Sequence, residues 1–277
     1  MGTPWYRQPF KHGLLWLYAL LSIYPLFWMV SYSLKSNDEI FVTNPFGLPF
    51  HFRIENYKTA WESFNVPVYF LNSVIVTCAT VVGSLTLAVL FSYAIARMRF
   101  RFSGAARIYL VIGMFVPVQV IMIPLAILMR DFHLANTYGS LIVPYISFNL
   151  SFATMVFYGF FRGIPIELEE SSCIDGASIY RTFFSIMLPI IRPALATMII
   201  FVFLAAWNEF PMALVLISKE TLKTLPLGLL FFQGQFTTDW GAMGAAMTIA
   251  SIPTVFLYMI FSDQVERALT VGSAVKG

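Results

Sequence analysis

Apolar residues run along this chain in long uninterrupted blocks rather than in helical stripes. Segments without any Asp, Glu, Lys, Arg or His cover residues 13–34, 63–96, 108–129, 134–161 and 240–262. A sixth, residues 193–218, is interrupted by Glu209 alone. About 20 apolar residues at 1.5 Å rise cross the ~30 Å hydrocarbon layer of a bilayer, so each block is long enough to span it. The pattern predicts an all-α, polytopic membrane protein with six transmembrane helices. In the second block Pro67 and Asn72 read as a lead-in, which starts the helix near Leu71 and sets the core of helices two to six at residues 71–262.

Composition agrees with that class. Charged residues make up 11% of the 277, far below the roughly 25% of a soluble domain. Six crossings put both termini on one side, and loop charge says which. That side holds Arg7, Lys11, Arg97, Arg99, Arg101, Arg107, Arg162, Arg181, Arg192, Arg267 and Lys276, eleven of the 17 basic residues. The other holds Lys35, Arg53, Lys58, Arg130, Lys219 and Lys223. Both termini are therefore expected in the cytoplasm, with residues 163–192 forming a cytoplasmic loop between helices four and five. The first block is longer than a signal-peptide core and no small-x-small site precedes Lys35, so a retained helix is expected.

Recognisable catalytic chemistry is absent from the sequence. His12, His51 and His133 are scattered without ligand spacing, Cys78 and Cys173 are far apart, and no nucleotide or nucleophile motif occurs. The expectation is a protein that is not an enzyme, with no catalytic residues, no metal, no cofactor of its own and no nucleic-acid partner. Its net charge of +3 is accounted for by the inside loops.

Polar residues within the spans mark a candidate pathway or gate: Asn72, Gln119, Asn149, Asn208 and Glu209. An ionised group at membrane depth costs roughly 2.5–3.5 kcal/mol, so Glu209 needs a partner or water. Interhelical hydrogen bonding is the alternative role for the amides. Pro25, Pro117, Pro124, Pro144, Pro211 and Pro253 predict bent helices. The small residues of Gly241-Ala242-Met243-Gly244-Ala245-Ala246 predict close approach of another helix, from this chain or another.

Against this background the stretch ELEESSCIDGASIYRTFFSIMLP, residues 167–189, stands out. Pro165 and the glutamates 167, 169 and 170 suit the first turn of a helix, where negative charge meets the positive end of the dipole. Asp175-Gly176 predicts a left-handed cap, and Ser178 can start a second helix with Ile179, Phe183, Ile186 and Met187 on its apolar side, stopped by Pro189. Four acids face Arg181 alone, a net of −3, the wrong sign for a helix seeking anionic lipid. Docking into a cytosolic protein fits the charge better.

This segment closely resembles the EAA loop of ABC-importer permeases. Glu170-Ser171-Ser172, then Asp175-Gly176-Ala177, then Ile186-Met187-Leu188-Pro189 keep that family's spacing, with Ser-Ser in place of Ala-Ala. The two serines stay small, but their hydroxyls need partners if buried. Over nearly the whole chain the resemblance is to the second, smaller permease of maltose-type carbohydrate importers. Ser92-Tyr93-Ala94-Ile95-Ala96-Arg97, Asn136-Thr137-Tyr138, Trp207-Asn208-Glu209-Phe210 and Ala274-Val275-Lys276-Gly277 fall where that group has similar words.

The resemblance implies one permease domain over residues 1–277 in the bacterial or archaeal cytoplasmic membrane. It implies a homologous second permease, two ATPase subunits that use ATP and Mg, and an extracytoplasmic solute-binding protein. Glu170, Ser171, Ser172, Asp175, Gly176 and Ala177 would form the coupling helix seated on an ATPase. Lys276 and Gly277 would reach towards the ATPase interface, and the loop from Lys219 to Asp239 would face the binding protein. The larger partner would hold most of the sugar contacts. A mono- or oligosaccharide is the expected cargo, with glycerol phosphate as runner-up. A stand-alone carrier would need its own ion site, for which Glu209 is the one candidate, and it would leave the acidic loop unexplained.

Overall fold

The computed structural model describes residues 7–232 and 238–274; Lys276 and Gly277 lie outside them. The helices are α1 (Arg7–Ser33), α2 (Glu55–Ser63), α3 (Val66–Arg97), α4 (Ser103–Gly113), α5 (Val118–Asp131), α6 (Gly139–Gly163) and α7 (Glu167–Ile174). They continue with α8 (Ile179–Ile190), α9 (Arg192–Trp207), α10 (Pro211–Leu216) and α11 (Trp240–Ala274). Four stretches are long and apolar enough to cross a membrane: Lys11–Ser33, Val66–Arg97, Gly139–Gly163 and Trp240–Phe261.

Two helix pairs among the described residues are sharply bent. The third block breaks between α4 and α5 with a turn of 105°, and α8 meets α9 at 73°. Both breaks have a backbone cause. Pro117 cannot donate to the carbonyl of Gly113, and Pro193 cannot donate to that of Pro189, so each ladder is interrupted where the chain turns. Pro211 likewise begins a helix, whereas Pro25, Pro124, Pro144 and Pro253 lie inside helices.

Two sequence expectations are corrected here. Helix α3 begins at Val66, not near Leu71, because Pro67 falls in the first turn, where a missing N–H costs nothing. Pro189 does not stop α8, which runs to Ile190. A π turn at Phe183–Met187 comes just before it, with the Leu188 N–H reaching back to Phe183. The wider turn carries the chain past the proline ring.

The chain divides into two compact units. The first comprises Met1–Pro67 and Gly228–Ile252. Within it, Lys35 is 1% exposed, and its ammonium donates to the carbonyls of Asn44 at 2.6 Å and Gly47 at 2.7 Å. Burial lowers the pKa of Lys35, opposed by the charge of Glu39. The Glu39 carboxylate accepts from the Phe50 N–H at 2.6 Å, so the segment after α1 is folded around two buried charges.

The small-residue stripe of α11 finds its neighbour in the same unit. A Cβ on Gly241 would lie 2.6 Å from the Lys35 carbonyl, and one on Gly244 would lie 2.4 Å from the Tyr32 ring. Ala242, Ala245 and Ala246 are fully buried. The close approach anticipated from sequence is therefore made within this chain.

The second unit comprises Val68–Leu227 and Pro253–Gly277. It has two apolar cores. Leu85, Val89 and Tyr93 of α3 pack with Phe157 and Phe161 of α6, Phe183 and Met187 of α8, and Met198 of α9. The other core gathers Val76, Met129, Leu141, Tyr145, Met212 and Leu216. The first lies directly under the acidic loop.

A test of the first unit follows from the glycine contacts. Gly241→Ala should lower thermal stability of the purified protein by roughly 1–3 kcal/mol through overpacking against backbone. Gly159→Ala, where nothing lies within 4 Å, should not.

Candidate functional site

The site is built where three helices end or begin. Helix α6 stops at Gly163, Pro165 follows, and α7 opens with Glu167, Glu169 and Glu170 in its first turn. Glu167 and Glu170 are exposed, but Glu169 turns inward. Its Oε1 lies 2.9 Å from Nε of Arg97, the last residue of α3, with the two side chains 19% and 9% exposed. This is an ion contact rather than an aligned hydrogen bond, because the Nε–H is turned off the line to the oxygen. The Tyr93 hydroxyl donates to Glu169 Oε2 at 3.3 Å, and an Arg97 guanidinium N–H donates to the Ile164 carbonyl. One arginine thus ties together the end of α3, the end of α6 and the start of α7.

Helix α7 ends as the Asp-Gly pair anticipates. Gly176 has φ +75, the Ala177 N–H donates to the Ser172 carbonyl at 3.0 Å, and the Gly176 N–H donates to that of Cys173 at 3.0 Å. These paired bonds around a left-handed residue make a Schellman cap. Ser178 then opens α8 by accepting from the Arg181 N–H at 3.3 Å. Phe183 and Met187 anchor α8 in the core, and Ile186 is half-buried; Ile179, by contrast, is 48% exposed rather than packed.

The serines of the motif take different roles. Ser172 is 5% exposed and shares a hydrogen bond of 2.8 Å with the hydroxyl of Thr182. That contact pins α7 to α8 and supplies the partner a buried hydroxyl requires. Ser171 is exposed and donates to the Leu168 carbonyl at 3.1 Å. Asp175 and Gly176 are exposed and Ala177 is half-buried, so the motif residues form one rigid, outward-facing tip.

The five candidate pathway residues do not converge on one cluster. Asn72 is 2% exposed, donates to the carbonyls of Thr221 and Lys223 at 2.9 and 2.8 Å, and accepts from the Tyr138 hydroxyl at 2.6 Å. Glu209 accepts from the backbone N–H groups of Met212 at 2.7 Å and Ala213 at 3.1 Å, and from the buried Tyr145 hydroxyl. It therefore caps α10. Asn149 donates to the Tyr145 carbonyl and Asn208 to that of Leu204, while Gln119 is exposed on the first turn of α5.

Comparison with known proteins bears on all of this. The family model described as the binding-protein-dependent transport system inner membrane component matches residues 84–271, well over half the chain. The chain belongs to this family.

Among relatives, the permease protein NgcG of the diacetylchitobiose uptake system of Streptomyces coelicolor is 36% identical over 267 residues, covering 95% of this chain and 87% of the relative. MalG, a permease protein of the trehalose/maltose transport system of Thermococcus litoralis, is 30% identical over 265 residues, 94% of each chain. The fold matches a chain of a bacterial ABC transporter involved in import of the acidic polysaccharide alginate, with TM-score 0.82 and 22% identity over 95% and 99% of the two chains. The family is a transporter component of the inner membrane rather than an enzyme, and the permease resemblance drawn from residues 170–189 is borne out at that level.

Sequence reading of this permease missed two parts of the site. The Arg97–Glu169 contact joins residues 72 positions apart; Arg97 had been read as loop charge and as the end of a family-like stretch, not as a partner of the acidic loop. The tip also carries bare apolar side chains, Ile174 at 87% and Tyr180 at 74% exposure. An isoleucine breaking an acidic run immediately before Asp175-Gly176 was the available signal for the second.

Removing one hydroxyl of the Ser172–Thr182 pair strands the other. Ser172→Ala should cost about 1–3 kcal/mol of stability, while Ser172→Ala with Thr182→Val, which removes both hydroxyls, should lie close to wild type. Thermal unfolding of the purified variants reads this directly.

Proposed function

We propose that this permease is one of two membrane subunits of an ABC importer that moves a mono- or oligosaccharide into the cell. The cargo class follows the relatives, which serve diacetylchitobiose and trehalose/maltose uptake. The bent pair α4–α5 counts as one crossing and residues 193–218, carried by α9 and α10, as another, so residues 1–277 form a single six-span permease domain in a bacterial or archaeal cytoplasmic membrane, with both termini cytoplasmic and residues 163–192 as the coupling loop. A homologous permease stands beside it, a solute-binding protein delivers sugar from outside, and two ATPase subunits use ATP and Mg below.

What supports the coupling role is the construction of the tip: a capped, exposed helix end whose one inward carboxylate is held by the last residue of α3. Glu170, Ser171, Asp175, Gly176 and Ala177 meet the ATPase, with Ile174 and Tyr180 as its apolar contacts, and Ser172 keeps the tip in one piece. When the ATPase dimer closes, the tip moves as a unit and draws on α3 and α6 through Arg97. Arg97 is a positioning residue in this scheme. Lys276 and Gly277 extend towards the ATPase interface. Along the pathway, Gln119, Asn149 and Asn208 keep donors or acceptors free for a polar solute. Asn72 and Glu209 hold the backbone of the wall, so that the cap on α10 serves as a gate hinge.

Replacing Gly176 tests the coupling role. Any L-residue at φ +75 is strained by roughly 1–2 kcal/mol, and a β-branched one more. Gly176→Val at normal membrane levels should reduce ATP-driven uptake by about tenfold or more, while Gly176→Asn, which tolerates this conformation, should retain most of it. Undiminished uptake by Gly176→Val would sink the assignment.

A further inference from the structure

Beyond the loop itself, the stretch joining α3 to α4 forms an open cleft of about 550 Å³. Its walls include Arg97, Arg99, Arg101, Arg162, Ser103 and Ile166, and no acidic residue lines it. Arg97 is already engaged by Glu169 and the Ile164 carbonyl. The other three guanidiniums have no hydrogen bond or ion pair with any described residue; Arg101 merely lies 5.7 Å from the centre of the Phe102 ring. Arg99, Arg101 and Arg162 are exposed around one cleft, so an anion bound there gains up to three guanidinium partners. Guanidinium forks match phosphate oxygens in pairs, which favours phosphate over a single carboxylate.

The setting says where the phosphate comes from. Arg97 closes a 32-residue apolar helix and Ser103 opens another apolar one, so the cleft lies at the edge of the hydrocarbon layer. The arginines alternate in sequence with apolar residues that are bare: Met98 is 40% exposed, Phe100 42% and Phe102 65%. A soluble anion gives those side chains nothing to contact, whereas acyl chains do. Basic pockets at the ends of membrane helices hold anionic headgroups on the same principle.

We propose that this cleft binds the phosphate of an anionic membrane lipid, its headgroup among Arg99, Arg101 and Arg162 and its acyl chains along Met98, Phe100 and Phe102. The site rests on the chain spanning a membrane and on nothing about its cargo. Its bound lipid would brace the outer side of Arg97, the residue that carries the coupling loop.

The full chain, purified in mild detergent with the subunits that accompany it, is titrated with phosphatidylglycerol while native mass spectrometry counts bound lipid. Wild type should retain at least one phosphatidylglycerol per chain and bind neutral phosphatidylcholine about tenfold more weakly. Arg99→Gln/Arg101→Gln/Arg162→Gln should weaken phosphatidylglycerol binding by about tenfold or more. Arg107→Gln, whose guanidinium donates to Tyr158 outside the cleft, should leave binding unchanged.

Equal retention by the triple variant overturns the proposal. Displacement of the lipid by millimolar inorganic phosphate also overturns it and makes the cleft a soluble-anion site. Loss of a companion subunit in place of lipid overturns it too and reassigns the cleft to a protein interface. Should the triple variant not accumulate, Arg99→Gln and Arg162→Gln alone carry the test: each should weaken binding by about threefold, and no change in either counts against the site.

Discussion

The guanidinium of Arg97 is the constraint on which the end of the second unit that carries the acidic loop depends. It sits where α3 runs out of apolar residues, and it meets both the carbonyl of Ile164, just past α6, and the one carboxylate of α7 that faces inward. Breaking a buried ion pair by deleting one member typically costs about 3–5 kcal/mol, because the other charge is left uncompensated. Beneath the contact, the Tyr93 ring packs against Phe161 and Phe183, so the polar link and the apolar core share a residue. Through Arg97 and Tyr93 the start of α7 is joined directly to α3 and to the end of α6.

The tip is rigid for independent local reasons. The Schellman cap at Gly176 ends one helix, the Ser178 cap begins the next, and the Ser172–Thr182 hydroxyl pair closes the angle between them. Each device satisfies backbone or side-chain groups that would otherwise go unpaired near the membrane surface. The outward face of the tip carries three exposed acids, Glu167, Glu170 and Asp175, beside the two bare apolar side chains, with Glu169 turned inward.

Much of this was legible in the sequence because lipid imposes so few solutions. Unbroken apolar blocks must become helices, since every backbone group has to be satisfied internally. Local turn chemistry was equally readable: Asp175-Gly176 and Ser178 do what those residues do in any chain. The prolines announced bends, Pro117 among them, but not their size, because an apolar block reads the same whether its helix kinks slightly or turns by 105°. Pro189 misled for a related reason, its effect being absorbed by a π turn that has no sequence signature. The small-residue stripe announced a close contact but not its partner, which proved to be the end of α1. Asn72 bonds carbonyls 149 and 151 positions away, beyond the reach of local pattern, whereas Glu209 accepts from N–H groups three and four residues on, a local cap not anticipated from the sequence.

The central claim is that Arg97 and Glu169 act as one mechanical unit. A double-mutant cycle with Arg97→Gln, Glu169→Gln and the pair together, scored as sugar moved per ATP hydrolysed in vesicles at matched protein levels, tests it most directly. Either single change should lower that ratio by about tenfold, and the double should be no worse than the singles, a strong coupling of about 1–3 kcal/mol. If the two effects simply multiply, or if either single variant couples normally, the two residues are not one link and the account fails.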